Sequence, residues 1–290
     1  MQTRAEFLEA RRSGIGASDV APILGLSPYK TAIDVYLDKV GPVGQVAEMA
    51  PQLEWGQRLE PVIASAIIDR YGWSLSRPAT VRHAAIPCLI ASPDRVNADG
   101  ELIEIKTARF GDGWGEPDTA DIPEHYWLQV QHQLEVIPHA QVCWVFVLIG
   151  GNDFRRYRVE RDPGYLETVA EPLGEFWDLV MNRTPPEPDW THSRTLEAVK
   201  KLYPVQAGTT VELQGEEIEY TARAFAHWGG EAKQLEVMRE QAKAKLIAAM
   251  GTAEKATLPN GTTIHRKTVN RAGYTVKPST YETFTIKEPK

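Results

Sequence analysis

Apolar residues recur three and four apart in some stretches of the chain and alternate strictly in others, and the two periods separate its elements. "SDVAPILGLS" predicts a short helix capped by Ser18 or Asp19. "KTAIDVYLDKVG" predicts a second helix that stops at Gly41. From Glu60 onward Val62, Ile63, Ala66 and Ile67 lie at helical spacing, with Pro61 suited to a first turn and Gly72 to a stop. Residues 79–91 ("ATVRHAAIPCLIA") and 101–106 ("ELIEIK") read as strands, the second entered through the turn "NADG". "EHYWLQVQHQLEVI" reads as a helix, "QVCWVFVLIGG" as a buried strand, and "RRYRVER" as a strand of alternating charge.

Three prolines in the four positions 185–188, within "NRTPPEPDW", forbid helix or central strand and divide the chain. The division predicts a mixed α/β domain over 1–183, a proline-rich linker over 184–209 and a C-terminal segment over 210–290. In that last segment Ile218, Ala222 and Phe225, then Leu235, Met238, Ala242 and Leu246, lie three or four apart. They predict either one long amphipathic helix or a helical hairpin broken at Gly229–Gly230. A β-hairpin with Asn260–Gly261 at its turn follows, and the segment is expected to pack or mediate assembly.

Composition narrows the class. At 290 residues, 42% apolar and 24% charged, the chain has the balance of a soluble globular protein, and no apolar run approaches the roughly 20 residues that span a bilayer. The first residues, "MQTRAEFLEARRSG", carry charge without an apolar core, so no signal peptide is expected and the cytoplasm is the default. Cys88 and Cys143 sit in apolar runs as expected buried thiols, too few for a four-thiolate cluster. The seven histidines show no ligand-like pairing, so any metal site is expected to use oxygen. A net charge of −7 argues against non-specific coating of duplex DNA. It leaves DNA open as a substrate, because a metal can neutralise phosphate among carboxylates. Positive charge is local, at Arg11–Arg12, at Arg155, Arg156 and Arg158, and at Arg266, Lys267, Arg271 and Lys277.

"SPDRVNADGELIEIKTA" carries the candidate chemistry. Side chains two apart on a strand share a face, so Glu104 and Lys106 point one way and Ile103 and Ile105 the other. Asp94 can meet them across the hairpin. Converging carboxylates raise one another's pKa unless a cation lies between them, and magnesium favours such ligands. Lys106 would stand beside the ion to orient water or stabilise phosphate. On its own, D-x9-E-x-K also matches many plain surface hairpins.

Four blocks in order extend the pattern. "GIGASDVAPILGLSPYKTAIDVYLDKVG", "WGQRLEPVIASAI", "ASPDRV…LIEIKTA" and "PEHYWLQVQHQLEVI" resemble the YqaJ-type viral recombinases, relatives of the phage lambda exonuclease in the PD-(D/E)xK nuclease superfamily. The resemblance covers roughly residues 8–180. It implies a restriction-endonuclease-like α/β core, a mixed central sheet flanked by helices, with the C-terminal helix and hairpin as an extension. It implies Asp94, Glu104 and Lys106 as the catalytic trio and Glu60 as the helix glutamate completing a site for Mg2+. Mn2+ would substitute, two ions are expected, and the carbonyl of Ile105 is a further ligand. Of the helix residues, Tyr126 and Gln129 share a face with Gln133, whereas the family pattern favours Gln131 as the catalytic glutamine; the choice stays open. For a 5′-phosphate the counterparts are Arg11, Ser18 and Ser92, with Arg12 replacing Arg11 on a one-residue shift. Trp55 is either an end-separating wedge or a core tryptophan.

The function implied is a magnesium-dependent 5′→3′ exonuclease that digests one strand of linear duplex DNA, leaving a 3′ overhang for a single-strand annealing protein. A trimeric ring and a phage or prophage origin in a bacterial cytoplasm go with it. Two rivals stand beside this reading: an endonuclease or repair nuclease on the same fold, and a non-catalytic DNA-end-binding assembly protein.

Overall fold

The computed structural model describes residue 9 and residues 11–41 and 50–268. Arg271 and Lys277 of the basic tail lie outside the described residues. The chain forms two compact units, residues 1–205 and 206–290.

The first unit is built on a five-stranded mixed sheet. Its strands are β2 (Leu75–Ser76), β5 (Arg95–Asn97), β6 (Leu102–Ala108), β7 (Val142–Ile149) and β8 (Asp153–Glu160), in the order β2-β5-β6-β7-β8. The β6–β7 pair is parallel and the other pairs are antiparallel. A smaller three-stranded sheet joins β1 (Ile15–Gly16), β4 (Leu89–Ala91) and β3 (Val81–Arg82), with β1 and β4 parallel.

The alternation along β6 decides where the site falls. Ile103 and Ile105, with Phe146 of β7, pack on Ile63, Ala64 and Ile67 of helix α3 (Pro51–Tyr71). Leu102 faces the other side, where β7 adds Cys143, Val145 and Val147 to the larger core under α4 (Glu124–Val136) and α5 (Tyr165–Met181). Glu104 and Lys106, in phase with Leu102, are therefore carried under α4. Two shorter helices, α1 (Val20–Ile23) and α2 (Ala32–Val40), precede this layer. A turn pinned by Asn97, whose side-chain oxygen accepts from the amides of Asp99 and Glu101, closes the β5–β6 connection. Gly100 takes the left-handed conformation there, at φ 79°.

Three elements differ from their sequence patterns. Residues 79–91 are not one strand but the antiparallel hairpin β3–β4, Val81 pairing with Ala91. Pro87 cannot donate to a ladder, and the ring of His83 accepts from the amides of Ala85 and Ile86 to close the bend. Helix α3 begins at Pro51 rather than near Glu60, so Pro61 lies inside it on the exposed face. The stretch 184–209 is not all linker: it contains α6 (Thr195–Leu202), whose Ala198 is buried within the first unit. Its Lys201 reaches Asp34 of α2 at 2.9 Å.

In the second unit Gly229–Gly230 do not break the chain. Helix α7 (Glu216–Met250) runs through them for 35 residues, followed by the hairpin β9 (Lys255–Thr257) and β10 (Thr263–His265). No helix among the described residues is long and apolar enough to cross a membrane.

Candidate active site

Glu104 is the centre of a buried network. The residue is 4% exposed, and its Oε1 accepts from Lys106 Nζ and from Gln129 Nε2, each at 2.6 Å. Its Oε2 accepts from Gln133 Nε2 at 2.7 Å. Gln129 turns its own Oε1 to Lys106 Nζ at 2.9 Å, so Lys106, Glu104 and Gln129 close a triangle. The ammonium also lies 4.9 Å from the ring centre of Tyr126. Tyr126, Gln129 and Gln133 are three, then four, residues apart on α4, one face laid over the polar face of β6.

Asp94 enters from the loop between β4 and β5. Its Oδ2 accepts from the amide of Ile105 at 2.7 Å, which fixes the carboxylate at the strand's edge. Burial, then the neighbouring Glu104, push Asp94 up to about 8 against the pull of Lys106. Burial works against charge on Lys106, but Glu104 and Asp94 outweigh it and hold its pKa above the usual range. At neutral pH Lys106 is an ammonium with its donors directed into the site.

Glu60 stands at the margin, on α3. Its Oε1 accepts from Arg95 at 2.6 Å and from Arg77 at 3.1 Å, and Arg95 also donates to the carbonyl of Asp94. Arg95 thus ties the helix glutamate to the loop that carries Asp94. Among the described residues no three Asp, Glu, His or Cys side chains gather closely enough to form a ready cation cage. The donor set nevertheless suits a hard divalent cation: oxygen ligands only, with the buried carboxylate of Glu104 beside the half-buried one of Asp94. Glu60 would have to exchange its arginines to join such a set.

Gln131 does not belong to this site. It points from another face of α4, donating to the carbonyl of Glu160 and accepting from the amide of Asp162, each at 2.8 Å. A helix advances about 100° per residue, so residues 129 and 131 cannot share a face. Gln131 joins the helix to the end of β8. Gln133, absent from the expected site set, takes its place, and its signal was the spacing from Tyr126 and Gln129. Arg77 and Arg95 had no comparable signal, because their role depends on where α3 packs.

The residues expected at a 5′-phosphate fall into two groups. Arg11 donates to Ser18 Oγ and to Asp19 Oδ1, both at 3.1 Å. Asp19 is buried, and burial alone would raise its pKa, but Arg11 and Lys39 hold it at about 2. Ser92 meets Thr80 at 2.8 Å. Because β1 and β4 run parallel with Gly16 beside Ile90, Ser18 and Ser92 each follow two residues beyond the last pair, at the same end of the small sheet. Arg12 is turned away and donates to the carbonyl of Gly41. Trp55 is no core tryptophan: it is 60% exposed on the first turns of α3, beside exposed Leu53. A Cβ on the next residue, Gly56, would lie 3.5 Å from Thr107 Oγ1 on β6, which puts this end of α3 over the strand that carries Glu104 and Lys106.

A mixed sheet whose acidic hairpin supplies Asp94, Glu104 and Lys106 beneath a helix is the restriction-endonuclease-like core of the PD-(D/E)xK class. The same fold occurs in a provisionally assigned exonuclease from Eubacterium rectale, at a TM-score of 0.50 and 10% identity over 77% of this chain and 98% of that one. The Laribacter hongkongensis protein LHK-Exo, solved with dAMP, gives a TM-score of 0.49 at 20% identity over 68% and 97%. Residues 6–139 match the YqaJ-like viral recombinase domain. It is similar to the uncharacterized protein YqaJ of Bacillus subtilis strain 168, 35% identical over 205 residues, 69% of this chain. The matched region spans 64% of that relative's length.

Proposed function

We propose that the protein is a magnesium-dependent exonuclease that digests one strand of linear double-stranded DNA from the 5′ end. The observation that carries this reading is the Asp94–Glu104–Lys106 set, whose buried Glu104 is locked by Gln129 and Gln133 beneath α4. A binding protein gains nothing from buried acids turned toward phosphate, whereas a hydrolase needs them to hold cations. Asp94, Glu104 and the carbonyl of Ile105, joined by Glu60, would hold two Mg2+ ions, for which Mn2+ substitutes. When bound, these ions supply Lewis acidity and an activated water.

The chain's own groups do the positioning. Lys106 offers N–H donors to a phosphate oxygen, and its charge offsets that which develops in the transition state. Gln129 and Gln133 fix the Glu104 rotamer, so the carboxylate needs no reorganisation on reaction. Arg11 and Ser18, with Ser92 at the same end of the small sheet, would receive a terminal 5′-phosphate. Trp55 and Leu53, exposed over the catalytic strand, would wedge the terminal base pair.

Mononucleotides and a 3′ overhang are the products, the overhang being the substrate of a single-strand annealing protein. The resemblance supports a trimeric ring around DNA and action in a bacterial cytoplasm. The test is linear duplex with one 5′ end phosphorylated and the other not, incubated with Mg2+ and read strand by strand. Shortening of the phosphorylated strand from its 5′ end, with covalently closed circles intact, is expected. Cutting of closed circles would make the enzyme an endonuclease, and no cutting with either Mg2+ or Mn2+ would remove the reading.

A further inference from the structure

Three aromatic rings run outward from Lys106. The ammonium lies 4.9 Å from the ring centre of Tyr126, and that ring stands 4.1 Å from the ring of His125. His125 in turn meets Tyr29 edge to face, with centres 5.5 Å apart and planes at 82°. The side chain of Tyr29 also interacts with that of Tyr126, yet Tyr29 is 62% exposed.

Exposure by itself is ordinary for a tyrosine. What sets this one apart is its neighbour. His125 is half-buried, and its Nε2, shut off from solvent, has no hydrogen-bond partner among the described residues. Buried polar atoms in native structures are nearly always paired, and one that is not calls for a partner from elsewhere. Burial, then the charge of Lys106, push the His125 pKa down, so the ring is neutral at neutral pH. It can bond to a ligand without adding charge beside Lys106.

The two ends of the row belong to the two phosphate sites of the proposed reaction, and the inference rests on that reading. Tyr29 comes from the turn after α1, in the stretch that also carries Ser18. Ser27 fixes this turn, its Oγ accepting from the amides of Tyr29 and Lys30. His125 and Tyr126 come from the first turn of α4, beside Lys106. A 5′-terminal nucleotide has its own phosphate on one side and the scissile phosphate on the other, so its nucleoside must bridge these same sites. Carboxylates and an ammonium give a neutral base little to rest on, whereas an aromatic face suits every base.

We propose that Tyr29 and His125 form the subsite for the 5′-terminal nucleoside, Tyr29 stacking on its base and His125 Nε2 hydrogen-bonding to it. The exposed ring is the part free to turn. Moving it onto a base uncovers the imidazole that it now meets.

The test uses the full-length protein and 5′-phosphorylated linear duplexes that end in either thymidine or an abasic tetrahydrofuran residue. Binding is read by fluorescence anisotropy with Ca2+ in place of Mg2+, and melting curves check that each variant is folded. The wild type is expected to bind the base-bearing end about tenfold more tightly, as the stacking of one base allows. Tyr29→Ala and His125→Ala should each lose most of that preference, and Tyr29→Phe, which keeps the ring, should retain it. Equal binding of both ends by the wild type, or a preference that survives either alanine substitution, would overturn the proposal. Digestion of the same duplexes with Mg2+ separates the two readings. Cutting by a wild type without base preference leaves the nuclease standing and removes this subsite. A preference that depends on Tyr29 without any cutting keeps the subsite and removes the nuclease.

Discussion

Gln133 donates to Glu104 from the side opposite Lys106, Nε2 to Oε2 at 2.7 Å, so the buried carboxylate is gripped through both oxygens. Groups that orient a ligand commonly contribute 10–100-fold to activity or metal affinity. Gln133→Leu is therefore expected to lower nuclease turnover by about that factor while the fold survives. Gln131→Leu, which breaks the tie between α4 and the end of β8, should instead lower the unfolding midpoint and leave the specific activity of folded protein nearly unchanged. Parallel urea titrations and initial rates on linear duplex separate the two effects.

Lys106 is the ammonium inside the network, and in the proposed reaction its loss would remove a charge directed at the scissile phosphate. Lys106→Met should cost about 10²–10³-fold in turnover, the usual loss when one preorganised donor is removed. DNA-end binding measured in Ca2+ should change far less. Comparable turnover for the variant and the wild type would exclude Lys106 from the chemistry.

The alternation of β6 was readable in "LIEIK", because period two places Ile103 and Ile105 opposite Glu104 and Lys106 without further information. Tyr126, Gln129 and Gln133 were equally readable as one helical face, whereas Gln131 followed a family pattern that this helix's geometry overrides. What the chain did not disclose locally depends on long-range packing. The arginine pair on Glu60 exists only because α3 lies against the face of β6 that carries Ile103 and Ile105. The break of residues 79–91 into β3 and β4 turns on a side-chain bond within the bend, that of His83, which no periodicity reports. Helix α3 reaches back to Pro51, a residue suited to a first turn, and carries Pro61 in its interior at the cost of one backbone hydrogen bond.

Ser18 is exposed and its hydroxyl already touches Arg11 at 3.1 Å. Ser18→Ala removes one donor to a bound phosphate while leaving the Arg11–Asp19 pair in place. A hydrogen bond to a charged group contributes about 1.5–3 kcal/mol, so preference for a 5′-phosphorylated over a 5′-hydroxyl end should fall by at least about tenfold. Competition between two differently labelled duplexes measures this ratio directly. An unchanged ratio would place the phosphate elsewhere.

Glu60 must leave Arg95 and Arg77 before it can ligate a cation. Glu60→Gln is expected to raise the Mg2+ concentration for half-maximal activity by about 10–100-fold, with activity partly restored at high Mg2+. Chelation of divalent ions should abolish activity in the wild type, and adding Mn2+ should return it. Isothermal titration of Mg2+ into the two proteins gives the same comparison without DNA.

His132 is fully buried between the smaller sheet and α5, its Nε2 3.2 Å from the carbonyl of Ile90 and its Nδ1 3.3 Å from the hydroxyl of Tyr165. The neutral ring serves both, donating at Nε2 and accepting at Nδ1. Burial pushes its pKa down to about 4, so between about 6.5 and 4 the unfolded chain takes a proton that the folded chain refuses. Stability from this residue is complete above pH 6.5, falls as pH drops through that window, and levels off below it. The loss is on the order of 3 kcal/mol at its full extent. His132→Gln should be less stable than the wild type at pH 7 and should lose less between pH 7 and pH 4.5. Urea midpoints at the two pH values decide it, and equal losses in both proteins would show that the acid sensitivity arises from other groups.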